Sequence, residues 1–311
     1  MERPLVRRLL RGRATLLCVL YALWIPLVML SGCGSDEGMA PDPGPPQVAS
    51  GTFHDAVVSG LAYVSGGQSG LTDSTGAFSY ERGNTVMFRV GDILYGQAIG
   101  AFLMTPVDLV AGAISESHPG VINRVRFLLS IDDDANASNG IQITASVRTA
   151  ALGNSVNFDQ TTNAFTVDNN VQQVVADLTG VTTAGQRALV SAVQAEVHMQ
   201  MTLMGILSGS YGGDYFAVAG GQTQSGGTRL GELSFVIDSG GSLVGVLTPT
   251  GGTAMTLVGI ASTNGSIEAT ADDASRFFGV IELDGEALRI NDGEWFVGAN
   301  QAGTFTAEKE F

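Results

Sequence analysis

The chain has 311 residues and a formal net charge of −15, with 15 basic and 30 acidic side chains. A chain this acidic repels nucleic acid and anionic lipid headgroups, so we do not expect it to bind either through charge. It attracts divalent cations instead. At roughly 100–200 residues per domain, the length predicts one or two folded domains.

The first 33 residues have the three parts of a secretory signal. Five arginines lie within Met1–Arg13, Ala14–Leu30 is uncharged and apolar, and the small residues of "LSGC" lead up to Cys33. The alternative is an uncleaved membrane anchor, because a spanning helix needs about 17–25 apolar residues. Pro26 within the apolar run and the "LSGC" at its end favour the signal.

The sequence "LSGC" resembles the lipobox of bacterial lipoproteins. The resemblance implies a signal peptide of residues 1–32 and a Cys33 that carries the lipid (palmitate) anchoring the chain to the membrane. Gly34 stands where an aspartate would signal inner-membrane retention, which implies the outer membrane of a Gram-negative bacterium. Cleavage removes five basic residues and one acidic residue, leaving 10 and 29 and a net charge of −19. A mature monomer then has no cysteine pair for a disulfide.

Residues 33–50 and 51–205 differ in composition. After Cys33, the stretch "GSDEGMAPDPGPPQVAS" is rich in glycine, proline and acidic residues, which predicts a flexible tether. From Gly51 to about Ala111 the pattern is β-rich, with a turn and alternating aromatics in "LTDSTGAFSY". This stretch resembles the carboxypeptidase-regulatory or transthyretin-like β-sandwich modules of bacterial surface proteins. The resemblance implies an accessory module without catalytic activity.

Residues 105–205 carry helical patterns. Thr105 and Pro106 predict a capped helix start, and "PGVINRVRFLLSI" predicts a second helix. Two further helices are expected to end at Gly153 and Gly180. The longest predicted helix has about 22 residues from Thr183, with a buried i, i+4 stripe formed by Leu189, Val193, Val197 and Met201.

Residues 206–311 contain short strands separated by Gly, Asn and Asp turns. Asn-Gly and Asp-Gly turns between apolar alternations are strong hairpin signals. The pattern predicts an antiparallel up-and-down β-barrel or a meander sandwich. Glycines within predicted strands favour the closed barrel, since they permit strong curvature: Gly245, Gly259, Gly279 and Gly298. The expected fold class is α+β, with a β-sandwich-like N-terminal module, a helical middle and a C-terminal barrel.

The stretch "IDDDANASNG" at residues 131–140 is the densest cluster of oxygen ligands. Asp132, Asp134, Asn136 and Ser138 have the alternating spacing with which a short loop wraps Ca²⁺. An EF-hand is excluded, because Ala137 replaces the turn glycine and Ile143 stands where the bidentate glutamate belongs. Two interpretations stay open: a partial Ca²⁺ loop completed by other carboxylates, or a polar loop that caps its own backbone.

No catalytic residue is predicted. His54, His118 and His198 form no H-E-x-x-H motif, and "GILSGSYGG" lacks the spacing of a nucleophile elbow. The sequence therefore favours a non-catalytic, lipid-anchored protein with a binding or adhesion role, Ca²⁺ as its one cofactor candidate, and an envelope or extracellular ligand. The alternatives are a hydrolase acting on glycans or lipids, through carboxylates such as Asp214 and Asp284, and a carrier of an apolar ligand in the barrel.

Overall fold

The computed structural model describes residues 46–217 and 227–310. The predicted signal peptide, Cys33 and most of the predicted tether lie outside these residues. The described residues form one compact unit of mixed helices and strands, so the predicted boundary between residues 205 and 206 stays a prediction. Among the described helices, none is long and apolar enough to cross a membrane.

The N-terminal part contains a three-stranded sheet, in the order β5-β1-β8, and a four-stranded sheet, in the order β4-β3-β6-β7. Aromatic contacts join the two sheets: the Phe88 ring centroid lies 4.8 Å from that of Phe53 and 5.2 Å from that of Phe78. The strands are β1 (Val48–Phe53), β2 (Val58–Ser59), β3 (Ala62–Ser65), β4 (Gln68–Leu71), β5 (Ala77–Glu81), β6 (Thr85–Val90), β7 (Ile93–Ile99) and β8 (Leu103–Met104).

Five α-helices occupy the middle of the chain, and β9 (Ile141–Gln142) pairs in parallel with β2. The helix predicted over "PGVINRVRFLLSI" is confirmed as α1, and Gly180 caps α4 as predicted. Asp168 begins α4 by accepting the backbone N–H groups of Asn170 and Val171. The helices are α1 (Pro119–Ile131), α2 (Ala145–Ala150), α3 (Thr162–Val167), α4 (Asn169–Thr179) and α5 (Ala192–Leu207).

The helix predicted to begin at Thr105 is wrong. Residues 105–112 form successive turns, in which Asp108 N–H donates to the Thr105 carbonyl and Val110 N–H to that of Val107. The Asp108 carboxylate also accepts hydrogen bonds from the N–H and hydroxyl groups of Thr105. These i to i+3 bonds close single turns, and the i to i+4 ladder of an α-helix does not form.

The predicted start and buried face of the longest helix are also wrong. Ser191 and Gln194 form a capping box, so α5 begins at Ala192 and not at Thr183. Ala195 and Met199 are buried against α1. The predicted stripe instead points outward, with exposed fractions of 70% for Val193, 47% for Val197 and 63% for Met201. The small side chain of Ala195 suits a close helix contact, so packing selected the other face.

The C-terminal part is a closed, antiparallel, eight-stranded barrel, as the hairpin pattern predicted. Consecutive strands are neighbours, and pairing of β10 with β18 and of β15 with β17 closes the ring. β16 (Glu282–Asp284) pairs only with β17. The barrel strands are β10 (Gly209–Ala217), β11 (Arg229–Ile237), β12 (Ser242–Pro249), β13 (Met255–Ala261), β14 (Ser266–Ala271), β15 (Arg276–Val280), β17 (Ala287–Val297) and β18 (Asn300–Lys309).

Side chains fill the barrel interior. The Tyr211 and Phe235 rings stack at 5.1 Å between centroids, and the Phe277 ring lies 5.6 Å from that of Phe305. Glycine makes room for these rings, because a Cβ at Gly293 would lie 2.3 Å from a ring carbon of Phe305. Alternation of large and small inward residues is how small barrels fill their cores.

Helix α5 connects the two parts of the unit. Met204 and Leu207, near its C-terminus, belong to the apolar cluster of the barrel. The Lys309 ammonium of β18 donates to the Ile206 carbonyl at 2.7 Å. The barrel therefore rests on the C-terminal end of a helix whose other half packs on α1.

Candidate functional site

The acidic loop after α1 is organised by its own backbone. Asp132 is 1% exposed, and its two carboxylate oxygens accept the N–H groups of Asn136 at 2.9 Å and Gln142 at 2.8 Å. Asp134 accepts the Asn136 N–H and the Asn139 side-chain amide, and the Ser138 hydroxyl donates to the side-chain oxygen Oδ1 of Asn136. All four predicted ligand residues are thus joined in one hydrogen-bonded loop.

Neighbouring residues fix this loop to the segment before α5. The Asp133 carboxylate accepts the N–H and the hydroxyl of Thr183, and the Arg187 guanidinium donates to the Asp132 carbonyl. Desolvation raises the pKa of Asp132, and the hydrogen bond from Gln142 opposes that rise. Among the described residues, no group of three or more His, Cys, Asp or Glu side chains is arranged to hold a metal ion. The calcium site stays a prediction.

A cleft of about 700 Å³ opens beside the start of α1. Its walls are β7, residues 108–111, the first turns of α1 and the loop 156–159. The volume lies within the roughly 300–1,000 Å³ that is usual for ligand pockets. Six polar side chains line the cleft together with leucine, valine and phenylalanine: Gln97, Asp108, His118, Arg124, Asn157 and Asp159.

Arg124 forms part of the cleft wall and is held rigidly. Its Nε donates to the Tyr95 carbonyl at 2.9 Å, and its Nη1 donates to the Gly120 carbonyl at 3.0 Å and to Asp159 Oδ1 at 2.9 Å. Its side chain is only 7% exposed, and its guanidinium lies over the Phe158 ring. A guanidinium fixed in this way presents its remaining N–H groups in a set direction.

His118 caps α1 and contributes a second donor to the cleft. Its Nδ1 accepts the Gly120 N–H at 3.1 Å. The neutral imidazole therefore carries its proton on Nε2. Asp108 also lines the cleft. Desolvation raises the pKa of its carboxyl, and the hydrogen bonds from Thr105 oppose that rise.

A separate cluster of polar groups is buried between the N-terminal sheets and α5. Asp55 lies in the turn after β1 and is fully buried, with its Oδ1 3.1 Å from His198 Nε2. The two atoms are at ion-pair distance without the alignment of a hydrogen bond. The buried Tyr95 hydroxyl has no hydrogen-bond partner among the described residues, and the Asp55 charge raises the Tyr95 pKa further than burial alone does.

Asp55 and His198 shift each other's protonation. Burial raises the pKa of Asp55, and the close contact with His198 and its charge oppose that rise. Burial lowers the pKa of His198, but Asp55 outweighs it, so the pKa lies above its ordinary value of 6.5. The pair therefore acts as an interior ion pair between the turn after β1 and α5.

The carboxylates of the barrel have structural partners on its surface. Asp214 lies 2.7 Å from the Arg229 guanidinium, and Asp284 lies 3.2 Å from that of Arg289. Partly exposed pairs of this kind contribute little stability. Asp214 and Asp284, two of the carboxylates considered for hydrolysis, are thus placed in cross-strand ion pairs.

The sequence did not single out Asp55, Asp108 and Asp159. The pairing of His198 with Asp55 had no sequence signal, because the two residues lie far apart in the chain. Asp108 follows Thr105 by three residues, a spacing that could have suggested the hydrogen bonds between them. No family model matches the chain, and a search of the curated proteins finds no match.

Proposed function

We propose that the chain is a non-enzymatic, lipid-anchored binding protein of the bacterial cell envelope. The cleft beside α1 carries the binding part of this proposal. It is bounded by a strand, a helix and two loops, and its Arg124 is held by two backbone carbonyls and a carboxylate. Binding sites built on regular elements with fixed side chains lose little entropy when a ligand binds.

The barrel interior supports a binding protein over a carrier of an apolar ligand. The inward-facing rings of Tyr211, Phe235, Phe277 and Phe305 occupy the space that such a ligand would need. A carrier barrel keeps a cavity for its cargo. In this proposal the barrel is a rigid scaffold, and the ligand binds in the N-terminal part.

The N-terminal sheets fit the proposed accessory module. The contact of Phe88 with Phe53 and Phe78 joins the faces of two sheets, as in a β-sandwich. We propose that this region is the module that its sequence resembles, placed by the tether at a distance from the outer membrane.

The proposed lipid anchor is tested by measuring whether Cys33 is acylated. In a Gram-negative host fed radiolabelled palmitate, the wild-type chain is expected to incorporate label and to fractionate with the outer membrane. Cys33→Ser should remain an unlabelled, unprocessed precursor, whereas Cys18→Ser should behave as wild type. Equal labelling of Cys33→Ser and wild type would refute the anchor.

Binding of Ca²⁺ by the loop of residues 131–140 can be tested with a substitution that leaves the buried Asp132 in place. A cation held by Asp134 and its neighbours would raise the melting temperature when Ca²⁺ is added, and Asp134→Ala would remove that increase. Asp177→Ala, on the exposed side of α4, is the matched control. If Ca²⁺ leaves the wild-type melting temperature unchanged, the loop is a structural cap only.

A further inference from the structure

The cleft beside α1 offers both donors and acceptors that the protein itself leaves unused. Asp108 uses Oδ2 to hold Thr105, and Asp159 uses Oδ1 to hold Arg124. Within the described part of the chain, the second oxygen of each carboxylate has no hydrogen-bond partner. Two anionic acceptors therefore face the cleft.

The unused donors lie among these acceptors. Arg124 Nη2 and His118 Nε2 have no partner among residues 46–217 and 227–310, although the Arg124 side chain is 93% buried in the wall. The side-chain amide of Asn157 also has free N–H groups, since only its oxygen is used, by the Asp159 N–H. Gln97 adds an amide with neither group engaged in the described structure.

The combination of free hydrogen-bond donors and acceptors in the cleft favours some classes of ligand over others. An ammonium ion only donates hydrogen bonds, so it would leave the Arg124 and His118 donors unmatched. A fully ionised phosphate only accepts them, and the net charge of −19 expected for the mature chain repels it. A hydroxyl group both donates and accepts. Arg124 and Asp159 also neutralise each other, so of these charged groups the Asp108 carboxylate alone keeps its charge, and its free oxygen can accept a hydroxyl hydrogen bond.

We propose that the cleft binds a neutral saccharide, whose hydroxyl groups bridge the free donors and acceptors of Asp108, His118, Arg124 and Asp159. Leu94 and Val156 line the same cleft and contact the C–H faces of the sugar rings. This inference names the ligand class of the proposed binding function and rests on it.

Calorimetric titration of the full chain in a detergent without a sugar headgroup tests the proposal. The probes are maltotriose, cellotriose and the trimer of N-acetylglucosamine. At least one is expected to bind. Asp108→Asn should weaken that binding about tenfold or more, since a hydrogen bond to a charged group is lost. Gln97→Ala, which alters no hydrogen bond of the described fold, should weaken it in the same direction.

Matched variants outside the cleft are Asp177→Asn on α4 and Gln200→Ala on α5, which should bind as wild type does. The proposal is overturned if none of the three sugars binds, if all four variants bind equally, or if spermidine or citrate binds more tightly than every sugar. Release of new reducing ends from a bound sugar would uphold saccharide binding and refute the non-enzymatic function. The experiment therefore distinguishes failure of the saccharide proposal from failure of the proposed non-enzymatic function.

Discussion

Replacement of His198 by alanine tests whether the buried ion pair joins α5 to the N-terminal sheets. The substitution removes the contact that Asp55 makes at 3.1 Å and leaves a fully buried carboxylate without a partner. An uncompensated buried charge is among the more costly defects in a folded protein. We therefore expect His198→Ala to destabilise the whole unit, well beyond the effect of shortening an exposed side chain.

The expected loss follows from the burial of the pair. Removing one partner of a buried pair costs about 3–5 kcal/mol. His198 keeps 17% of its side chain exposed, so solvent weakens the contact and we take the lower end, about 3 kcal/mol. In a domain of this size each kcal/mol lowers the melting temperature by about 2–4 °C, which gives a decrease of about 6–12 °C.

Urea and thermal unfolding, followed by circular dichroism, measure this loss. Gln200→Ala, on the exposed face of the same helix, should be close to wild type. In Asp55→Asn with His198→Ala the residual buried group is neutral, so the double variant should be at least about 1 kcal/mol more stable than His198→Ala alone. A loss below about 1 kcal/mol in His198→Ala, or strict additivity in the double variant, would refute the ion-pair reasoning.

Three further predictions concern pH, the acidic loop and the barrel. His198 has a raised pKa, so while Asp55 is ionised their contact stabilises the fold fully below the ordinary histidine pKa of 6.5 and is lost as pH rises through the raised pKa of His198. The advantage of wild type over Asp55→Asn in melting temperature should therefore shrink as the pH is raised from 6.5 into the alkaline range. Asp132→Ala leaves the Gln142 N–H unpaired and removes one of the two acceptors of the Asn136 N–H, so it should cost about 1–3 kcal/mol in urea unfolding, with or without calcium, whereas exposed Asp177→Ala should cost little. Gly293→Ala places a Cβ 2.3 Å from the Phe305 ring and should destabilise the barrel by about 1–3 kcal/mol. Gly205→Ala in α5, where no atom lies within 4 Å of the added Cβ, should instead stabilise by about 0.5–1 kcal/mol; equal effects of the two glycine changes would contradict the close packing of the interior.

Local patterns predicted the parts of the fold that depend on neighbouring residues. The hairpin turns of residues 206–311 and the strand glycines Gly245, Gly259 and Gly279 led to a closed antiparallel barrel, because most strands pair with the next one along the chain; Gly298, also expected within a strand, lies in a turn. The apolar pattern of α1 and the Gly180 end of α4 were readable for the same reason. Cys33 and its lipid are predictions from sequence alone.

The apolar pattern of a single helix does not show which of its faces another element will pack against. The stripe of Val193, Val197 and Met201 is apolar at helical spacing, yet α1 packs against Ala195 and Met199. Thr105 with Pro106 has the composition of a helix start, but the Asp108 carboxylate holds Thr105 in a turn. For α5 a contact with a distant helix outweighed local propensity, whereas at Thr105 the side-chain hydrogen bonds lie within a single turn.

The sequence by itself determined the strong negative charge, the β-barrel and the main helices, because charge is a sum over residues and hairpins form between adjacent segments. Only the tertiary structure decided where the polar groups meet. Asp55 reaches His198, and Arg124 meets Asp159 beside His118, because the folded chain brings distant segments within 3.1 Å of each other. The acidic loop, the densest cluster of oxygen ligands in the sequence, proved to be tied into its own backbone, whereas the cleft was formed by residues that showed no pattern along the chain.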